Sequence, residues 1–254
     1  MAGNSTAAGR SVTARALDLL GAFDAAHPQA TLTELARRSG LPPATVHRLA
    51  GDLVAWGALD RDDDGRYRIG LRLWRTGLLA PVSDRLRETA LPFMQDLYEA
   101  TRENIHLAVL DGDRALYVEK LSGHRSVPVL SRVGAHLPLH ATGVGKALLA
   151  WADEDFRRAY CDGPLSRQTR HTITERGRLL RELRTAVERG YASTSEEMSL
   201  GSCSVAVPVS TGSGPPAAAL GIVVRTVRAD LSRLVPALRT GAEGLGRRLA
   251  ATED

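Results

Sequence analysis

The sequence predicts an α+β chain. A winged helix-turn-helix comes first, mainly helical with a β wing. A linker helix follows, and then a domain of antiparallel strands flanked by helices. Three observations predict this. A helix, a tight turn, a second helix and a charged hairpin succeed one another within residues 31–70. Helical periodicity, broken by prolines, fills residues 71–101. Beyond it, apolar runs of strand length are interspersed with amphipathic segments.

Thr31 and Glu34 form a T-x-x-E capping box that starts the first helix of the motif, with Leu32, Leu35 and Ala36 as its apolar face. Gly40 permits the turn and Leu41 plugs the gap between the helices. Pro43 suits the first turn of the next helix, where its missing N–H costs nothing. Val46, Leu49, Ala50 and Leu53 then repeat at i, i+3, i+4, i+7 as a buried stripe. Ala44, Thr45, His47 and Arg48 are left on or beside the outer face, where a recognition helix contacts base edges. Pro43 and, on the preceding helix, Thr33 complete the expected DNA-contacting positions of the two helices.

Two helices alone fit an ordinary core hairpin with a solvated face as well as they fit a DNA reader. The hairpin that follows shifts the balance toward duplex DNA. An Asp-Gly turn at Asp64-Gly65 lies between alternating apolar and charged residues, and this wing can set Arg66 and Arg68 against phosphates. Asp62, Asp63 and Asp64 at the tip oppose deep insertion into a groove. Ser11–Phe23 is expected to complete the three-helix core, with Val12, Ala16, Leu19, Leu20 and Phe23 facing inward.

The 254 residues allow two domains, and 43% hydrophobic with 24% charged residues is ordinary for a soluble globular chain. The net charge of +4 suits a nucleic-acid partner without requiring one. Cys161 and Cys203 lie far apart, which disfavours a disulfide framework, and C-x-x-C metal spacing is absent. No apolar run approaches the roughly 20 residues that span a bilayer. Residues 1–9 lack the apolar core of a secretory signal and read as a flexible tail, so a cytoplasmic location is expected. Domains are placed at 10–70 for the DNA-binding part, 71–82 for the linker helix and 83–254 for the sheet domain.

In the second domain a helix from Ser83 to Thr101, bent or restarted at Pro92, carries Leu86, Ala90, Phe93, Met94, Leu97 and Tyr98 as one stripe. That stripe suits a dimer surface or packing on its own domain equally well. Asn104–Leu110, Ala115–Leu121 and Val127–Val133 read as a strand meander. Thr142–Ala150 and Asp153–Cys161 read as short helices. Thr172 and Glu175 suggest a capping box ahead of Leu179, Leu180, Leu183 and Val187. Strands at Ser204–Val209 and Ala217–Val227 precede a last helix.

Several motifs suggest chemistry and fall short of it. Thr142-Gly143-Val144-Gly145-Lys146-Ala147 evokes a phosphate loop, yet a Walker A needs Gly at His140 and Ser or Thr at Ala147. Lys146 then reads as a helix residue with its head in solvent or on a carboxylate. His136 and His140 are four apart, but Pro138 breaks the helical geometry that would join them on a metal. Ser193–Ser195 and Ser204 lack a nucleophile elbow. No enzyme, no catalytic residue, no metal and no cofactor is expected.

From about Ser11 to Ala250 the chain resembles the IclR family of bacterial transcriptional regulators. The likeness rests on LTELARRSGLPPATVHRL, GAHLPLHATGVGKALLA (134–150), GYASTSEEMSLGSCSVAVPV (190–209) and PAAALGIVV (216–224). The resemblance implies a winged helix, a linker helix that mediates dimerisation, and a GAF-like effector domain. It also implies partners: a double-stranded inverted-repeat operator, a second copy of the chain (dimer or dimer of dimers), and a small organic or aromatic acid as effector. A sheet domain serving only as a dimerisation scaffold is the alternative. Repression is expected ahead of activation. Transferred residue by residue, the effector site comprises the loop Gly134, Ala135, His136 and Leu137, whose backbone N–H groups would take a carboxylate. Ser204 with Cys203 beside it, Thr194 where some members carry an acid, and Gly221 and Val223 complete the set. The last two stand where relatives carry hydroxyls, and restoring both as Ser is expected to favour smaller acids.

Overall fold

The computed structural model describes residues 10–24, 26–80, 85–123, 126–212, 214–226 and 230–251. The expected tail at 1–9, the break at Pro81 and the helix start at Ser83 lie outside them. The chain divides into two compact units, residues 1–83 and 84–254.

The first unit holds α1 (Val12–Leu20), α2 (Leu32–Ser39) and α3 (Pro43–Trp56). The Thr31 side chain accepts from Glu34 N–H and the Glu34 carboxylate accepts from Thr31 N–H, so both ends of the capping box are made. Gly40 ends α2 at φ +68°, a left-handed conformation that glycine adopts without strain. Leu19, Leu35, Leu41, Val46 and Leu49 are buried together. Val12 is not: it is half exposed at the start of α1, because Ser11 caps the helix there and the inward stripe begins a turn later. The wing is β2 (Leu59–Arg61) against β3 (Tyr67–Ile69), and Gln29–Ala30 adds a short strand, β1, on the other edge of β3. α4 (Leu71–Gly77) follows, with Leu71 and Trp74 exposed.

The second unit is one antiparallel sheet of six strands in the order β6-β5-β4-β9-β8-β7. They are β4 (Asn104–Asp111), β5 (Arg114–Leu121), β6 (His136–Pro138), β7 (Ala192–Ser195), β8 (Ser202–Val209) and β9 (Ala218–Arg225). α5 (Arg87–Thr101) and α9 (Val235–Ala250) cover one face. α6 (Gly143–Ala150) and α8 (Arg176–Arg189) cover the other, with α7 (Glu154–Asp162) packed on α8. Alternation along each strand sorts the side chains. Ile105, Leu107, Val205, Val207, Leu220 and Ile222 face α5 and α9, whereas Ala108, Ala206 and Ala219 face α6. Small residues on the second face let α6 approach closely.

Of the two roles left open for the α5 stripe, packing on its own domain is the one seen: Leu86, Ala90, Met94 and Leu97 are buried in the core they share with α9 and the sheet. Three expectations fail in this unit. Val127–Val133 is not a strand. Two of its carbonyls are taken by side chains instead, Val127 O by Asn104 Nδ2 at 2.8 Å and Ser131 O by Lys120 Nζ at 3.2 Å. β6 pairs with β5 in its place. Thr172 caps no helix. Its hydroxyl accepts from the N–H groups of Gln168 and Thr169 and donates to Glu197 O, and α8 begins only at Arg176. Val187 lies exposed on α8.

Candidate functional site

In the first unit, Pro43 opens α3, and Ala44, His47 and Arg48 stand exposed beside half-buried Thr45. Thr33 is exposed on α2. Arg48 Nη1 lies 3.5 Å from Asp52 Oδ2 one turn on. On the wing, Arg66 Nη1 is 4.0 Å from Glu34 and Arg68 Nε is 3.6 Å from Asp60, so both guanidiniums are loosely held and stay partly exposed. Gly65 takes φ +77° at the tip, and Asp62 Oδ1 accepts from Arg66 N–H at 2.8 Å. One aspartate of the tip therefore shapes the hairpin.

In the second unit a small cavity of about 40 Å³ opens between the sheet and the start of α6. The register explains its floor. Thr194, Ser204, Val223 and Asn104 pair in one row across β7, β8, β9 and β4; Ala206, Gly221 and His106 form the next. Thr194 Oγ1 and Ser204 Oγ are 2.5 Å apart. Thr142 caps α6 by accepting from Gly145 N–H at 3.2 Å. The amides of Gly143 and Val144, at positions with no intrahelical acceptor, have no partner among the described residues. Both residues line the cavity. A Cβ on Gly143 would sit 2.5 Å from Ser204 Oγ, so only glycine lets the helix end come this near the hydroxyl. The positive end of the helix and two hydroxyls thus face one small space, which favours an anion.

The far side carries His106, Tyr117 and Ser131. His106 Nε2 and Ser131 Oγ are 2.9 Å apart, and the Tyr117 ring meets the imidazole edge-on at 5.2 Å. Burial holds the His106 pKa down to about 3, with Lys120 adding to the effect, so the imidazole is neutral near pH 7. Burial likewise keeps the Tyr117 phenol protonated, and its hydroxyl bonds with Thr142.

Of the residues read from sequence, Leu137, Thr194, Ser204, Gly221 and Val223 line this cavity. Gly134, Ala135, His136 and Cys203 do not. The Gly134 amide donates to Tyr117 O at 2.8 Å and that of Ala135 to Arg132 O at 3.0 Å, leaving neither for a carboxylate. His136 Nε2 bonds Asp111 at 2.6 Å on the surface. Cys203 faces the α5–α9 core, because it alternates with Ser204. Sequence reasoning did not place the amides of Gly143 and Val144 at this cavity. The Thr142-Gly143-x-Gly145 cap was their signal, read only as a failed phosphate loop. His106, Tyr117, Ser131, Met198, Ser199 and Ser202 were missed as well, since only the folded sheet and loops bring them to the helix end.

Lys146 is fully buried, its ammonium 2.7 Å from Glu197 Oε1 and 3.3 Å from Ser193 O, which settles its head on a carboxylate. His140 is buried with Nδ1 on the Tyr160 hydroxyl at 2.8 Å and Nε2 on Ser166 O at 3.0 Å. Among the described residues no group of His, Cys, Asp and Glu could hold a metal ion, and no helix is long and apolar enough to cross a membrane.

Residues 12–63 match the family described as the IclR helix-turn-helix domain, and residues 81–247 that described as the bacterial transcriptional regulator IclR C-terminal. The HTH-type transcriptional regulator XynR of Escherichia coli is 34% identical over 87% of this chain and 88% of its own length. The DNA-binding transcriptional repressor YiaJ of the same organism is 30% identical over 93% of this chain and 86% of its own. The crystal structure of an IclR homolog from Microbacterium hydrocarbonoxydans, complexed with 4-hydroxybenzoate, superposes with a TM-score of 0.90. It shares 34% identity, covering 95% of this chain and 100% of that one.

Proposed function

The chain belongs to the IclR family of DNA-binding transcriptional regulators, which are not enzymes, and from that premise we propose a repressor whose operator affinity is set by a small aromatic carboxylic acid held in the cavity beside α6. One observation carries the reading. The two unpartnered amides of Gly143 and Val144 and the Thr194–Ser204 hydroxyl pair converge on a space whose other walls are largely apolar. A carboxylate there accepts charge-assisted hydrogen bonds, and Leu130, Leu137 and Val144 offer an aromatic ring apolar walls once the cavity opens. The neighbour bound to 4-hydroxybenzoate and the relative named as a repressor support the class of ligand and the sense of regulation.

The cavity of about 40 Å³ is far smaller than the roughly 150 Å³ that accommodates benzene. Loading therefore requires the walls bearing Leu130 and Met198 to withdraw. That requirement supplies the coupling: a ligand that binds only the opened domain shifts the population toward it. On the DNA side, α3 enters the major groove while Arg66 and Arg68 hold phosphates. Two copies read an inverted repeat, and the exposed Leu71, Trp74 and Leu79 of the linker region are the apolar surface offered for self-association. The scaffold-only alternative predicts no ligand. Calorimetry of the full-length protein with benzoate and 4-hydroxybenzoate, followed by operator mobility shifts at saturating acid, tests the proposal. Binding with a change in operator affinity supports it, and no heat with either acid refutes it.

A further inference from the structure

We infer that His106, steadied by Ser131, is the specificity-determining residue of this cavity, selecting acids that carry a hydroxyl at the end opposite the carboxylate. The inference rests on the effector-site reading above. His106 is buried and lines the cavity, yet only its Nε2 is engaged, by Ser131 Oγ at 2.9 Å. The other ring nitrogen has no hydrogen-bond partner among the described residues. That nitrogen is not among the fully buried atoms left without a partner, and with His106 lining the cavity it is available to a matching ligand atom.

Placement gives the ligand its length. Ser204 pairs with Val223, and His106 pairs with Gly221 two residues earlier on the same strand. Strand spacing and rise put the two Cα atoms roughly 12 Å apart. Two inward side chains and one six-membered ring with substituents at opposite ends span that distance. Between them Gly221 has no side chain and Val144 packs directly onto it, so a ring spanning the two lies against Val144. Chemistry fixes the substituent. A neutral imidazole donates or accepts according to its tautomer, and a hydroxyl can answer either. A second carboxylate would lie buried without a cation, since the Lys120 ammonium is turned to Ser131 O and does not line the cavity.

Calorimetry on the full-length protein compares benzoate, 4-hydroxybenzoate and benzene-1,4-dicarboxylate, for the wild type, His106→Phe and His106→Gln, each checked for folding by thermal melting. The wild type is expected to prefer 4-hydroxybenzoate over benzoate by about tenfold and to bind the dicarboxylate more weakly than either. His106→Phe should bind both monoacids alike, and His106→Gln should keep part of the preference. Wild-type binding of both monoacids with equal affinity overturns the role of His106 and leaves the carboxylate site standing. The same holds if folded His106→Phe retains the tenfold preference. Failure of the wild type to bind any of the three overturns both readings. Should His106→Phe not fold, the wild-type ratio and His106→Gln still decide.

Discussion

The Lys146 ammonium lies 2.7 Å from Glu197 Oε1 with no part of the lysine side chain exposed. This contact ties α6, whose first turn walls the cavity, to the loop between β7 and β8, whose Met198 and Ser199 form another wall. Glu197 Oε2 is buried without a partner, and burial pushes the carboxyl pKa up against the pull of the lysine. The pair thus fixes geometry more than it adds stability.

Removing one member should therefore be far worse than removing both. Lys146→Met strands a buried carboxylate and is expected to cost about 3–5 kcal/mol. The double variant Lys146→Met/Glu197→Met should recover most of that loss. Urea denaturation of the single and double variants measures it; a double variant as unstable as the sum of the singles would contradict the account.

Gly221 was expected to accept a serine and reward smaller acids. Crowding works against this, because a Cβ there would lie 2.8 Å from Val144 Cγ1 and 3.2 Å from Ala206 Cβ. Gly221→Ala or Gly221→Ser should push the first turn of α6 off the sheet, costing about 1–3 kcal/mol, and should weaken every acid regardless of size. Thermal melts paired with an acid series read both effects. A serine variant with full stability and a shifted size preference would restore the original expectation.

Arg48 is exposed near the start of α3 and only loosely held by Asp52 at 3.5 Å. Arg48→Ala should cost roughly 1–3 kcal/mol on the operator and much less on random duplex. Asp52→Asn should free the guanidinium and tighten both. Equal losses for Arg48→Ala on the two duplexes, with a smaller salt slope, would instead assign Arg48 to a phosphate.

His106 also gives the fold an acid limit. Its folded pKa of about 3 lies below the ordinary 6.5, so between those values the unfolded chain binds the extra proton. The contribution is whole above pH 6.5 and falls as the pH drops toward 3, by at most about 4–5 kcal/mol. Denaturation midpoints across that window should decline less steeply for His106→Gln than for the wild type. Parallel slopes would mean that other groups govern acid unfolding.

The winged helix was legible because its determinants are local. A capping box, a left-handed glycine, a proline at the helix start and an Asp-Gly turn each act within a few residues. The sheet was legible where strands are long and apolar, as in β4, β8 and β9. It was not where one alanine and three small polar residues make β7, whose membership comes only from pairing with β8. Val127–Val133 has strand-like composition, but Pro128 removes a ladder donor and the side chains of Asn104 and Lys120 take two of its carbonyls. Ser204, Thr194, Gly221 and Val223 all line the cavity because strand alternation carries them to one face. The amides of Gly143 and Val144 were not read as part of it, because nothing in sequence spacing reveals that α6 begins against Ser204.

The central claim is that a carboxylate sits between the first amides of α6 and the Ser204 hydroxyl. It is tested most directly by titrating 4-hydroxybenzoate into wild-type protein and Ser204→Ala by calorimetry, with circular dichroism to verify the fold. A hydroxyl bond to a carboxylate contributes about 1.5–3 kcal/mol, so the variant should bind at least tenfold more weakly while its ligand-free operator affinity is unchanged. A folded Ser204→Ala protein with wild-type affinity for the acid would contradict the claim.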